Sequence, residues 1–405
     1  MAMSPKKIPA DLSFTRTEYS CVVSIKGVEF LNQNILDCVI RENIFDIIPT
    51  IYLTIQDNGL FLENYPLEDN DVIKISVSRS SVTAPVLNME FLLNDYEVIN
   101  KDGDKINSCI IKMTGYLKNN KTFEPIQTRS FSNQTSVDVF ASLASEMGFA
   151  LDSRVKTSDN MNWIQASQNN YSFLHDVLKR SFKPDDAISL GVTRNSKMII
   201  TSLDTVQNSK ITKNAVFDQE ATISNAIDGG DTIFYNSYNI MNAMGSNNKK
   251  GAYSAQFGHY DLEKIVAGVI DFTKNKMSKY SYKDKTKTKD ITFNLIPAVL
   301  NNKNMHANYY KAMATNVHYN MDFFKNLLLL HINPNKDVNI FDKVNINMPS
   351  MIGVEKTNTT VSGEYIVGGI VYQLNLDGLF RSSLLCFRSG YNPSSVMKSN
   401  EFSGV

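Results

Sequence analysis

Five histidines and four cysteines carry the most versatile chemistry in this 405-residue chain, and their spacing decides how much of it is usable. A zinc ion needs several ligands at ~2.0–2.3 Å, which sequences supply as HxxxH, HExxH or CxxC pairs. His175, His259, His306, His318 and His331 form no such pair, and Cys21, Cys38, Cys109 and Cys386 are scattered through apolar, strand-like runs. No metal site is expected. The cysteines read as buried reduced thiols, which points to synthesis in a reducing compartment. His175 stands one residue from the apolar stripe of a predicted helix and reads as structural.

Paired carboxylates could cleave a glycosidic bond if they faced each other across a cleft. Asp185-Asp186 follow a helix-ending Lys183-Pro184, however, and Asp69 and Asp71 sit in a turn, where an Asp side chain satisfies its own backbone. Gly229-Gly230 and Gly368-Gly369 are lone pairs in strand context, so they read as bulges or turns. The sequence has no GxSxG elbow, phosphate-binding loop or GxGxxG. The run from Lys274 to Lys289 interleaves Tyr280, Tyr282 and Asp284, with Asp290 just after it. It could stack on nucleic acid, but its acidic interruptions make it a solvated tip. The chain is therefore expected to be no enzyme, with no catalytic, cofactor-binding or metal-binding residue and no cofactor.

Composition agrees with that reading. Hydrophobic residues make up 42% and charged residues 20%, and 41 basic side chains balance 41 acidic ones. Such a chain builds globular cores, and no net field draws it to nucleic acid. Met1 to Lys7 lacks the apolar stretch of a signal peptide. No apolar run approaches the ~20 residues of a membrane span, so no stable membrane insertion is expected.

Most of the chain alternates with period two. In Ile48 to Gln56, Ile51, Leu53 and Ile55 share one face, and in Val338 to Met348, Val344, Ile346 and Met348 oppose Lys343, Asn345 and Asn347. Turn residues punctuate the reversals: Lys26-Gly27, Asp57-Asn58-Gly59, Lys101-Asp102-Gly103-Asp104, Ile227 to Asp231 and Asn333-Pro334-Asn335. The period changes at Thr135-Ser136-Val137-Asp138, a capping box opening a helix with Val139, Leu143 and Met147 inside and Gly148 at its end. A second helix follows Asn170 with Phe173, Leu174, Val177 and Leu178 buried. A helix is also read near Met305 to Val317. The expected organisation is a flexible arm (1–17), a β-barrel (18–130, with 207–220 available to complete it) and a two-helix α+β domain (131–206). A second barrel (221–245 and 305–390), an insertion (246–304) and a C-terminal arm (391–405) follow. The fold class is mainly β: two similar antiparallel barrels, a small α+β domain and a less regular insertion. Asp71 to Val77 and Asp342 to Met348 read alike, a polar turn with Asp and then an alternating strand, as a duplicated barrel would require.

Two stretches carry a family resemblance. Asn162-Trp163-Ile164-Gln165, followed by Asn170-Tyr171-Ser172-Phe173-Leu174, resembles a helix-opening segment of phage baseplate hub proteins and of the hub portion of type VI secretion spikes. Ser362 to Val367, Tyr372 and Phe380 to Gly390 look like that family's closing hairpin, and the order barrel, α+β insert, barrel also matches. The resemblance implies tail-tube-like barrels in a homotrimeric virion protein, assembled in the host bacterial cytoplasm, that joins a sixfold tail tube to a threefold central spike. It would line a channel for tape-measure protein and DNA in transit. Tube or tube-initiator protein and spike are the implied partners, with wedge and tape-measure proteins as further candidates. Nothing after Tyr391 resembles a spike extension, so the spike is expected to be a separate chain. The rival readings are a tail-tip cell-wall hydrolase, which the missing cleft motifs disfavour, and a glycan-binding adhesin. An adhesin would show clustered aromatic residues, whereas the one Trp lies beside a helix.

Overall fold

A computed structural model describes residues 19–57, 61–79, 86–100, 109–218, 231–242, 256–261, 266–271, 292–297, 304–324, 326–332, 337–350, 353–375 and 380–388. Both terminal arms, the Lys274 to Lys289 run and the turns at Asn58-Gly59, Lys101 to Asp104, Ile227 to Gly230 and Asn333 to Asn335 lie outside the described residues.

The chain begins with β1 (Tyr19–Ile25), β2 (Val28–Leu31), β3 (Ile35–Asn43), β4 (Thr50–Asp57), the short helix α1 (Phe61–Asn64), β5 (Val72–Arg79), β6 (Leu87–Asn100) and β7 (Cys109–Leu117). Lys26 and Gly27, both at positive φ, make the two-residue turn between β1 and β2. Next come β8 (Gln127–Gln134), α2 (Ser136–Met147), β9 (Ala150–Ser153), β10 (Met161–Gln168), α3 (Asn170–Arg180), β11 (Ile188–Val192), β12 (Lys197–Ser202) and α4 (Leu203–Gln207). The last stretch holds β13 (Lys213–Phe217), β14 (Thr232–Asn242), β15 (Gln256–Asp261), β16 (Val266–Asp271), β17 (Thr292–Pro297), α5 (Tyr309–Phe323), β18 (Asn326–Ile332), β19 (Lys343–Asn347), β20 (Pro349–Ser350), β21 (Gly353–Thr357), β22 (Gly363–Asn375) and β23 (Phe380–Arg388).

Thirteen strands form one continuous sheet, which contains the same six-strand unit twice. The first unit runs β1-β5-β6-β7-β4-β3 across the sheet and the second β13-β19-β22-β23-β18-β14, so strands of equal rank in the chain take equal places. The likeness of Asp71 to Val77 and Asp342 to Met348 has this basis: β5 and β19 occupy the same place. Registers agree residue by residue. Val72 faces Leu92 as Lys343 faces Ile366, and Leu53 faces Met113 as Leu330 faces Leu384. Bulges recur too. Asn94 in β6 and Gly368 in β22 are the extra residues against β7 and β23, as Leu36 in β3 and Asn236 in β14 are against β4 and β18. Each bulge adds local twist at the same point of its unit.

The units differ in closure. The second is a closed barrel, because β13 pairs with both β14 and β19. No ladder joins β1 to β3 among the described residues; the Asn32 side chain spans that corner, accepting from the Cys21 amide at 2.6 Å and donating to the Tyr19 carbonyl at 2.8 Å. Residues 207–220 thus do not complete the first barrel: β13 belongs to the second. Both of its pairings are parallel, so the second barrel is not wholly antiparallel.

Between the units, Thr135 and Asp138 close the expected capping box on α2, and Gly148 ends it in the left-handed conformation. β9, β11 and β12 form a three-stranded sheet, and β8 and β10 a ribbon beside α2 and α3. The later helix, α5, starts at Tyr309 rather than near Met305. Lys343 also departs from the expected wet face. Its ammonium donates to the Gln207 carbonyl at 2.7 Å and pairs with Glu364 at 2.9 Å, so it is buried against the C-terminal end of α4.

Candidate functional site

The described residues with catalytic potential are separated from one another. Tyr171 packs edge-on against the His175 ring on α3, and burial and the Lys179 charge hold that imidazole below its ordinary pKa. His306 stacks near Phe182 and bonds through Nε2 to the Arg180 carbonyl at 3.1 Å. His331 shares its Nδ1 with the Ser383 hydroxyl at 2.9 Å. His259 lies in β15 and His318 in α5, with side chains outside the described residues. All four cysteines are free, and burial pushes the Cys21 and Cys386 thiols up to about 12, far from a reactive thiolate. Asp186 accepts from the Ala187 and Asp204 amides and from Lys183, which makes it an anchor for the chain entering β11 and α4. Asp71 caps the Glu68 amide and pairs with Lys26. No group of three or more metal-ligating side chains exists among the described residues.

Two polar clusters, the first half-buried and the second buried, hold elements together. Gln165 and Asn170, from the stretch that carries the family resemblance, bond to each other at 3.0 Å. Both accept from Arg129 on β8, whose guanidinium also grips Glu146 on α2 through two bonds of 2.5 and 2.9 Å. This polar knot fixes α2 and α3 against the β8–β10 ribbon. The second cluster lies where the two six-strand units and the α+β region meet. Glu42 on β3 accepts from the Arg194 amide at 2.8 Å and from its guanidinium at 3.2 Å, and that guanidinium also donates to the Val338 carbonyl at 3.0 Å. Burial pushes the Glu42 carboxyl up, while Arg194 pulls it back down.

Two strand edges carry exposed apolar residues. The units join where β22 pairs antiparallel with β3, from Gly369 opposite Asn43 to Asn375 opposite Asp37. The places of β22 and β3 are taken elsewhere in the repeat by β6 and β14. β5 accompanies β6 only from Leu87 to Leu92, and β13 accompanies β14 only to Tyr235. Past Leu93, whose backbone still bonds to Asn70 and Asp71, and past Tyr235, each strand is paired on one side alone among the described residues, by β7 and by β18. Tyr96 and Val98 on β6 are 47% and 45% exposed, and Ile240 on β14 is 43% exposed. Their counterparts at the internal junction, Ile370, Tyr372 and Ile40, are 1%, 3% and 1% exposed. A groove of about 290 Å³ beside this edge, lined by Tyr52, Tyr96, Glu97, Lys112 and Met113 among others, has a Lys112–Glu97 pair at 3.4 Å and no histidine or cysteine. Reading for catalytic groups missed these edges. The signal available was length: β6 has 14 residues and its neighbour β5 has 8, so part of β6 had to lack that partner.

No protein-family model and no curated protein sequence matches the chain. Solved structures do. A tail protein from Neisseria meningitidis MC58 superposes with a TM-score of 0.58 at 9% identity, covering 93% of this chain and 99% of that one. The 43 kDa tail protein of prophage MuSo2 from Shewanella oneidensis gives a TM-score of 0.57 at 9% identity, covering 92% and 98%. The chain has the fold of these phage tail proteins. An E. coli type VI secretion component, described as similar to phage tail proteins, superposes more loosely at 0.48 and 9% identity, covering 92% and 79%. Among the described residues of this tail-protein fold, no helix is long and apolar enough to cross a membrane.

Proposed function

We propose that this chain is a structural hub of a phage tail or related contractile particle. Three copies form a ring that joins a sixfold tail tube to a threefold central spike and surrounds a channel for tape-measure protein and DNA. The tandem six-strand unit carries the reading: two units per chain and three chains give six similar units around an axis, which suits a sixfold partner on one side and a threefold one on the other. The full-length likeness to two tail proteins supports a virion tail location, and the scattered titratable groups fit a mechanical role. Light scattering on the purified chain, alone and with its tube and spike proteins, tests the proposal. A three-chain species is expected, and a monomer under every condition would overturn it. A zymogram with the same protein is expected to show no clearing of cell wall, and clearing would favour the hydrolase reading.

A further inference from the structure

We infer that the end of β11, from Gly191 to Arg194, is a releasable clasp: closed, it locks both six-strand units to the α+β region, and it opens while the two units stay folded. The inference is independent of the hub reading and of the number of copies. It starts from backbone strain. Among the described residues, nine non-glycine residues have positive φ, and seven of them are polar or charged. The other two are Ile47 at φ 60° and Phe341 at φ 67°, a β-branched and an aromatic residue for which that conformation is a true outlier. Both are buried, and they come from different units. They meet the same strand. The Ile47 carbonyl accepts from the Val192 amide at 2.7 Å. Ile340 and Phe341 lie over Gly191, where an added methyl group would sit 2.6 Å from Ile340 Cδ1 and 3.4 Å from Phe341 Cε2. Arg194, two residues past Val192, bonds to Glu42 of the first unit and to the Val338 carbonyl of the second. The end of β11 is thus gripped from both sides.

The repeat supplies the control. Asn70 stands in the first unit where Phe341 stands in the second. The Asn70 amide donates to Leu93 and the Leu93 amide to Asp71, just as the Phe341 amide donates to Val367 and the Val367 amide to Asp342. The aspartates cap alike, Asp71 on the Glu68 amide and Asp342 on the Asn339 amide. In the first unit, then, the same turn is made by an asparagine at φ 69°, a residue that tolerates the left-handed region. Its side chain bonds to Tyr116 within its own unit at 2.9 Å. In the second unit a ring reaches out of the turn to Gly191 instead. The turn does not require Phe341; the contact with β11 does. Strain of this kind persists only while its surroundings impose it, so withdrawal of β11 lets the turns at Ile47 and Phe341 relax. Gly191 has no side chain for Ile340 and Phe341 to catch on, and the freed Ile47 and Val338 carbonyls can bond to water. Packed contacts such as this one switch between discrete arrangements rather than deform continuously.

Amide hydrogen exchange on the full chain tests the clasp. In the parent protein, the Val192, Arg194 and Phe341 amides are expected to exchange through one local opening, with lower protection than the β3–β22 ladder. Exchange of those three only through global unfolding overturns the clasp. Phe341→Asn copies the twin turn. It is expected to lower protection in β11 and β12 while raising it at the Val367 amide, because the turn relaxes as its hold on β11 is lost. A fall at Val367 together with β11 would reduce Phe341 to core packing and overturn the clasp, as would unchanged protection of β11. Gly191→Ala forces the clasp from the other side and is expected to speed exchange at Val192 and Arg194 with the β3–β22 ladder unmoved; an equal loss in that ladder overturns the independent opening. The measurement on the parent decides by itself if a variant fails to fold.

Discussion

At the β3–β22 junction, Ile40 and Tyr372 oppose each other in the core; at the equivalent places on β14 and β6, Ile240 and Val98 face solvent. The two regions share strand order, register and bulges, so secondary structure does not account for the difference. The neighbouring strand does: among the described residues, none pairs with these two edges. The internal junction is additionally locked by the Glu42–Arg194 pair, whereas the position equivalent to Glu42 on β14 is Asn242. A joint made once, during folding, can contain a buried charge pair held by a third element. A joint made between chains cannot presuppose that element, and a neutral amide avoids the desolvation penalty of an unpaired charge.

The strongest way to break this comparison is to place the same charge at equivalent positions. Ile370→Asp puts an unpaired carboxylate in the internal junction and is expected to cost about 4 kcal/mol or more in urea unfolding. Tyr96→Asp, its counterpart, should leave unfolding within about 0.5 kcal/mol of the parent while abolishing assembly in light scattering. Equal destabilisation by the two would mean that the β6 edge is already covered within one chain. Arg194→Ala leaves Glu42 buried and uncompensated, with an expected loss of about 3–5 kcal/mol. Asn242→Ala, at the matching position of β14, is expected to leave unfolding of the isolated chain unchanged. A smaller effect probes the bulges. A methyl group on Gly368 would overlap the Phe387 ring, so Gly368→Ala is expected to cost about 1–3 kcal/mol, while Asn94→Ala at the matching bulge should be near neutral.

The smallest expected difference is one of pH. His331 on β18 takes the place that Thr54 holds on β4. Burial and the nearby Arg381 charge hold its imidazole below 6.5, so the unfolded chain binds this proton more readily than the folded one. The stability it supports is present above the unfolded value and is lost as pH falls through the native one. Protection of the β18 amides, taken relative to their intrinsic exchange rate at each pH, should therefore fall between pH 7 and pH 5 while that of β4 holds, and a matching fall in β4 would deny His331 that role.

Local rules made much of this fold legible in the sequence. Alternation marked Ile51, Leu53 and Ile55, the Thr135–Asp138 capping box marked α2, and the likeness of Asp71 to Val77 and Asp342 to Met348 pointed to the repeat. Long-range pairing was the part not legible. β13 reads as well beside the first barrel as in the second, because five residues carry no address. The Glu42–Arg194 pair joins residues 152 positions apart, and the burial of Lys343 depends on where α4 ends. The open edges were hidden for another reason: Tyr96-Glu97-Val98 alternates like any half-buried strand, and only the lengths of its neighbours leave it bare.

A strand-resolving electron cryomicroscopy map of the assembled chain tests the central claim most directly. The account predicts β6 of each copy paired antiparallel with β14 of the next, Val98 opposite Ile240, so that the internal β22–β3 junction and the contact between copies superpose. Copies meeting through any other surface, with the β6 and β14 edges left bare, would contradict it.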